Sequence, residues 1–131
     1  MTAEPALIAA IAGEDACIYA YGVIGAQVGG SARQRARRAL AAHRSLRDRL
    51  QSQAADTVVP AAIAYDFPFA VTDAKSAKKL AALIEGRMVP VFADLAAATS
   101  GPARDEAVTA AMECAVRAIA WGGASQAFPQ D

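Results

Sequence analysis

The sequence predicts an all-α fold, a four-helix bundle in which two antiparallel hairpins are joined by a long crossover. Three observations carry that expectation. Apolar residues recur in steps of three and four along four segments. Apolar residues make up 55% of the chain and aromatics only 6%, with alanine, the best helix former, filling the difference. Helix breakers interrupt the pattern twice over a few residues and once over a long stretch.

The first helix is predicted over about Pro5–Val28. Pro5 suits its first turn, and "GGS" at Gly29–Ser31 ends it. Its stripe reads Leu7, Ile11, Glu14, Ile18, Tyr21, Gly25 and Val28. The second helix covers about Ala32–Ala55, with Ser31 as its cap and Ala36, Leu40, His43, Arg47 and Leu50 as its stripe. The third covers about Asp73–Thr99, capped by Thr72 or Asp73, with Leu80, Ile84, Met88, Val91 and Leu95 inward and Glu85 flanking. Pro90 falls inside it, removes one backbone hydrogen bond, and predicts a kink. The fourth covers about Pro102–Trp121, opened by Ser100 or Gly101. Val108, Met112, Ala115 and Ile119 form its expected core face, flanked by Glu113.

Connection lengths set the expected topology. Short links make helices 1 and 2, and helices 3 and 4, antiparallel pairs. The middle link of about 17 residues spans up to roughly 55 Å, more than the roughly 33 Å of a 22-residue helix. It can therefore cross the bundle end to end. Its apolar residues Val58, Val59, Ile63, Tyr65, Phe67 and Phe69 suit a segment lying on the bundle. One long crossover between two hairpins is the ferritin-like arrangement.

The 131 residues are enough for a single domain, 1–131, with one core. Thirteen basic and thirteen acidic residues leave a formal charge of +0, which argues against a nucleic-acid partner. The N-terminus lacks a basic n-region, so no signal peptide is expected. No apolar run reads as a membrane span. Cys17 and Cys114 read as reduced, buried thiols of a cytoplasmic protein. Seven arginines between Arg33 and Arg49 form a solvated face, because no aromatics interleave them as single-strand binding would need.

In this topology Glu14, His43, Glu85 and Glu113 fall within about one turn of mid-bundle, one from each helix. Buried carboxylates are costly unless paired or metal-bound. Dinuclear bundles supply a Glu from each of two helices and Glu-x-x-His from each of the others. Here Leu40 stands three residues before His43, and Val116 three after Glu113, so that set is incomplete. Three readings remain. The first is a paired polar core with no cofactor: Glu14 with His43 or Arg47, Glu113 with Arg117, and Tyr21 on the wall. The second is an atypical mononuclear Fe, Mn or Zn site on Glu14, His43 and one of Glu85 or Glu113. The third is a small-molecule pocket beside Cys17, Tyr19 or Tyr21. The apolar excess also predicts a homodimer.

The segments "GEDACIYAYGVIGAQVGG", "RRALAAHRSLRDRL", "YDFPFAVTD", "LAAATSG" and "AVRAIAWGG" resemble a bacterial ferritin-like domain family of unknown function. The resemblance runs from about Leu7 to Pro129. Its matching positions include Glu14, Tyr19, Tyr21, Gly22, His43, Arg44, Arg47 and Asp48. It implies the same bundle and carries no activity to transfer. The expected function is a non-catalytic binding or structural module, with a metal-dependent oxidoreductase as the alternative.

Overall fold

A computed structural model describes residues 2–55, 57, 59, 60, 62 and 65–123. Val58, Ile63 and the tail from residue 124 onward, which the crossover and domain expectations include, lie outside the described residues. Four helices follow in order: α1 (Ala3–Gln27), α2 (Gly30–Ala54), α3 (Ala74–Ala98) and α4 (Gly101–Ala120). The sequence-predicted boundaries differ from these by one or two residues.

Local chemistry sets the ends. Asp73 caps α3 in a reciprocal box, accepting from the Ser76 amide at 2.8 Å while the Ser76 hydroxyl accepts from the Asp73 amide. α2 begins differently from the expectation. Gly29 is its N-cap, without a side-chain bond, and Ser31 lies inside the helix. The two-residue turns before α2 and α4 each need a left-handed residue, supplied by Gly30 (φ 57°) and Gly101 (φ 59°). α3 continues as one helix through Pro90, which sits on its exposed side.

Two core clusters fix the helix directions. One joins Ala6, Ala10 and Ile11 of α1 to Leu46 and Leu50 of α2, Phe92 and Leu95 of α3, and Ala107 and Ala110 of α4. The other joins Tyr21 and Ile24 to Ala36 and Ala39, Leu80 and Ala81, and Trp121. Early α1 and α4 thus meet late α2 and α3, so α1 and α4 run one way and α2 and α3 the other. The crossover touches both ends: Val59 packs in the first cluster, and Phe67, Phe69 and Val71 pack against the second. Tyr65 and Phe67 meet Tyr19 with ring centroids 5.3 and 5.9 Å apart. The described residues of the long connection therefore reach both core clusters.

α1 packs on α2 and α3, and α3 packs on α4, whereas α2 and α4 stay beyond close helix contact. Arginines bridge that gap. Arg35 Nη2 donates to the Ala120 carbonyl at 2.7 Å, and Arg49 Nε lies 3.7 Å from Glu106.

Two expectations are corrected here. Val108, Met112 and Ile119 are exposed, and the inward face of α4 is Ala107, Ala110, Cys114 and Ala118. Small residues let α4 lie close on α3, while the larger apolar chains point away. α1 is also long and apolar enough, by length and composition, to cross a membrane, contrary to the sequence reading. Its Glu14 and Asp15 are buried within the bundle and pair there with α2.

Phe92 is fully buried at the centre of the first cluster, so Phe92→Ala is expected to cost about 3–5 kcal/mol in urea unfolding. Ala110→Leu, at the tight inner face of α4, is expected to cost about 1–3 kcal/mol by overpacking.

Candidate functional site

A charged layer separates the two apolar clusters, and each helix contributes to it. α1 presents Glu14, with Cys17 one turn on and Tyr21 a further turn along. α2 presents His43, α3 presents Glu85, and α4 presents Cys114 and Arg117. The spacing on α1 is helical, so these side chains share one inward face. Gly13 beside them carries no side chain where Met88 of α3 approaches. A Cβ there would stand 2.6 Å from the Met88 sulfur.

Glu14, His43 and Glu85 are fully buried. His43 Nδ1 faces Glu14 Oε2 at 2.6 Å, and Nε2 faces the Glu85 oxygens at 3.0 and 3.2 Å. With a carboxylate on each ring nitrogen, the form that satisfies both is the imidazolium, donating twice. Glu85 also accepts from the Tyr21 hydroxyl at 2.6 Å and from Arg117 Nε at 2.7 Å. Trp121 Nε1 donates to the Tyr21 oxygen at 3.1 Å, and the Tyr21 ring stacks on His43. Two carboxylates, one imidazolium and one guanidinium leave this layer electrically neutral.

The two carboxylates differ in proton affinity, and their partners explain why. Burial raises both. For Glu14 burial prevails over the single cation beside it, and its affinity ends above the ordinary range. For Glu85, His43, Arg117 and Tyr21 together overcome burial and hold it below. Burial pulls His43 down, but hydrogen bonds to Glu14 and Glu85 prevail and hold it at about 9. Burial also pushes both thiols and the Tyr21 phenol upward, keeping them protonated.

Of the sequence-predicted site residues, Glu14, His43 and Glu85 come together, with Tyr21 and Arg117 as their partners. Glu113 does not join them. It is exposed on the groove between α2 and α4, because the inward register of α4 is one residue further along, at Cys114. Arg117 accordingly pairs with Glu85 and not with Glu113. Arg47 pairs with Asp15 at 2.9 Å and not with Glu14. Cys114 is the buried free thiol the sequence suggests, whereas Asp15 and Trp121 are not legible there as members of the layer. The repeat of small residues Ala107, Ala110, Cys114 and Ala118 was the available signal for the α4 register. The paired spacings 14 with 43 and 15 with 47 were the signal for Asp15. Among the described residues, Glu14, Cys17 and His43 bring one ligand atom each within 4.8 Å of one another.

The bundle and its charged interior layer define an all-α four-helix protein with a buried ion-pair core. The chain belongs to the family described as a domain of unknown function, DUF4439, whose model matches residues 6–130. It is similar in structure to a conserved hypothetical protein, rv2844, from Mycobacterium tuberculosis, solved by crystallography. The two share 32% identity over 89% of this chain and 92% of that one, with a TM-score of 0.83. No curated protein matches the chain.

His43→Ala is expected to destabilise the protein by about 3–5 kcal/mol, since it leaves Glu14 and Glu85 buried without the cation between them. The pH dependence follows from the same group. Folded His43 keeps its proton to about 9, against an ordinary value of 6.5. Its stabilisation is therefore complete below pH 6.5 and is lost as the pH rises through about 9. Urea midpoints measured across that window are expected to fall by the equivalent of a few kcal/mol, and to flatten in His43→Ala.

Proposed function

We propose that this protein is a ferritin-like bundle acting as a non-catalytic binding or structural module, and that it assembles as a homodimer through α4. The observation that carries this reading is the outer face of α4. Val108, Met112, Val116 and Ile119 are 43, 64, 66 and 49% exposed and lie in steps of four, four and three along one side. A contiguous strip of large apolar side chains on one helix is costly to leave in water.

A second copy fits this strip. Its residues are spaced almost symmetrically about their midpoint, so an antiparallel α4–α4 pair sets Val108 against Ile119 and Met112 against Val116. That is the self-complementarity a two-fold interface requires. The chain's formal charge of +0 leaves no net repulsion between copies.

The interior layer supports the module reading over dinuclear metal chemistry. On α2, Leu40 stands where an acid would precede His43 by three residues. On α4 the inward pair three residues apart is Cys114 and Arg117, and a guanidinium carries no lone pair for a metal. Glu85 is occupied by three donors. Two buried free thiols suit the reducing cytoplasm, and the balanced charge suits a protein partner better than a nucleic acid.

Sedimentation equilibrium is expected to give a dimer for the natural sequence. The Met112→Glu, Val116→Glu double variant is expected to be a monomer with unchanged helical circular dichroism. A natural chain that stays monomeric at every concentration measured, or a dimer indifferent to both substitutions, overturns the assembly.

A further inference from the structure

We propose that Glu14, Cys17 and His43 form a binding site for one divalent metal ion of the zinc class, buried at the centre of the bundle. The three residues offer a carboxylate oxygen, a sulfur and a ring nitrogen, all within 4.8 Å of one another. Glu14 and Cys17 are one turn apart on α1, and His43 reaches them from α2. Glu14 is fully buried, and its Oε1 makes no hydrogen bond among the described residues. A carboxyl oxygen left without a partner at such a position offers a free lone pair to a cation.

The surroundings complete the arrangement. Glu85 accepts from His43 Nε2, which leaves Nδ1 as the ligating nitrogen and fixes the ring. A carboxylate behind a ligating histidine is the usual outer partner of a bound metal. Glu85 itself stays an outer group, because Tyr21 and Arg117 already occupy Oε2. Arg117 Nη2 donates to Cys114 Sγ at 3.6 Å, so that sulfur already has a partner, and the sulfur that lies with the Glu14 oxygen and the His43 nitrogen is that of Cys17.

Charge balances across the binding step. Without metal, Glu14, Glu85, His43 and Arg117 sum to zero and Cys17 is a neutral thiol. On binding, His43 loses the Nδ1 proton that it directs at Glu14, and Cys17 loses its thiol proton. Two protons leave and two positive charges enter, so the buried layer stays neutral and no other ion is required. The 2.6 Å contact between His43 and Glu14 has to open. Typical zinc bond lengths require it to lengthen by about 0.7 Å. Thiolate, imidazole and carboxylate together suit zinc and disfavour magnesium or calcium, which take oxygen ligands only.

The test is titration of the intact protein with cobalt(II), a spectroscopic substitute for zinc. One equivalent is expected to bind with a near-ultraviolet sulfur-to-cobalt charge-transfer band that zinc then abolishes, and zinc binding in weak buffer is expected to release two protons. Cys17→Ser keeps the Glu14–His43–Glu85 contacts and is expected to lose the band and at least about 100-fold in affinity. Cys114→Ser is expected to keep both. A natural protein that shows no band with excess cobalt overturns the proposal, whatever the variants do. A band that survives in Cys17→Ser overturns it as well.

Discussion

Two carboxylates enclosed between four helices need positive charge at the same depth, and His43 supplies it from α2. Its ring lies between Glu14 and Glu85 and ties α1, α2 and α3 at a single level. Arg117 brings α4 to the same level by pairing with Glu85. Each of these charges is tolerable in the core only because the others are present. The layer sits between two apolar clusters that have no such directional bonds. It therefore sets the axial register of the bundle, which Leu and Ala packing alone leaves loosely specified.

The asymmetry within the layer matters for chemistry. Among the described residues Glu85 has three donors and a depressed proton affinity, whereas Glu14 has one donor, an unpartnered oxygen and a raised affinity. The better satisfied carboxylate behaves as structure. The less satisfied one, beside Cys17, is where the layer can still accept something. One layer thus serves as scaffold on its α3–α4 side and as a receptive group on its α1–α2 side.

The missing contact between α2 and α4 follows from what those helices carry. α4 turns its small residues to α3 and its large apolar ones outward, while α2 is rich in arginine. Arginine heads cannot be buried cheaply between two helices, but they can span a gap and reach a carbonyl or a carboxylate, as Arg35 and Arg49 do. The bundle is tight along α1–α3 and α3–α4 and open along α2–α4. The apolar strip of α4 is left on the outside of the bundle, turned away from both core clusters.

Much of the architecture was determined by the sequence alone. Alanine content, three-and-four spacing, two glycine turns and one long link specify four helices and their directions, because each is a local property of the chain or a matter of reach. Glu14, His43 and Glu85 could be placed at mid-bundle by counting residues at a constant rise per residue, whereas the same count placed Glu113 there although it faces outward. Tertiary structure decided what counting cannot: which way α4 faces, and which partner each charge takes. The α4 stripe of Val108, Met112 and Ile119 obeys helical periodicity as well as Ala107, Ala110 and Cys114 do. Size breaks the tie, since only small side chains fit the close approach to α3. Arg47 could reach Glu14 or Asp15, and Arg117 could reach Glu113 or Glu85. Both choices rest on side-chain direction within a packed interior, which exists only after the helices have met.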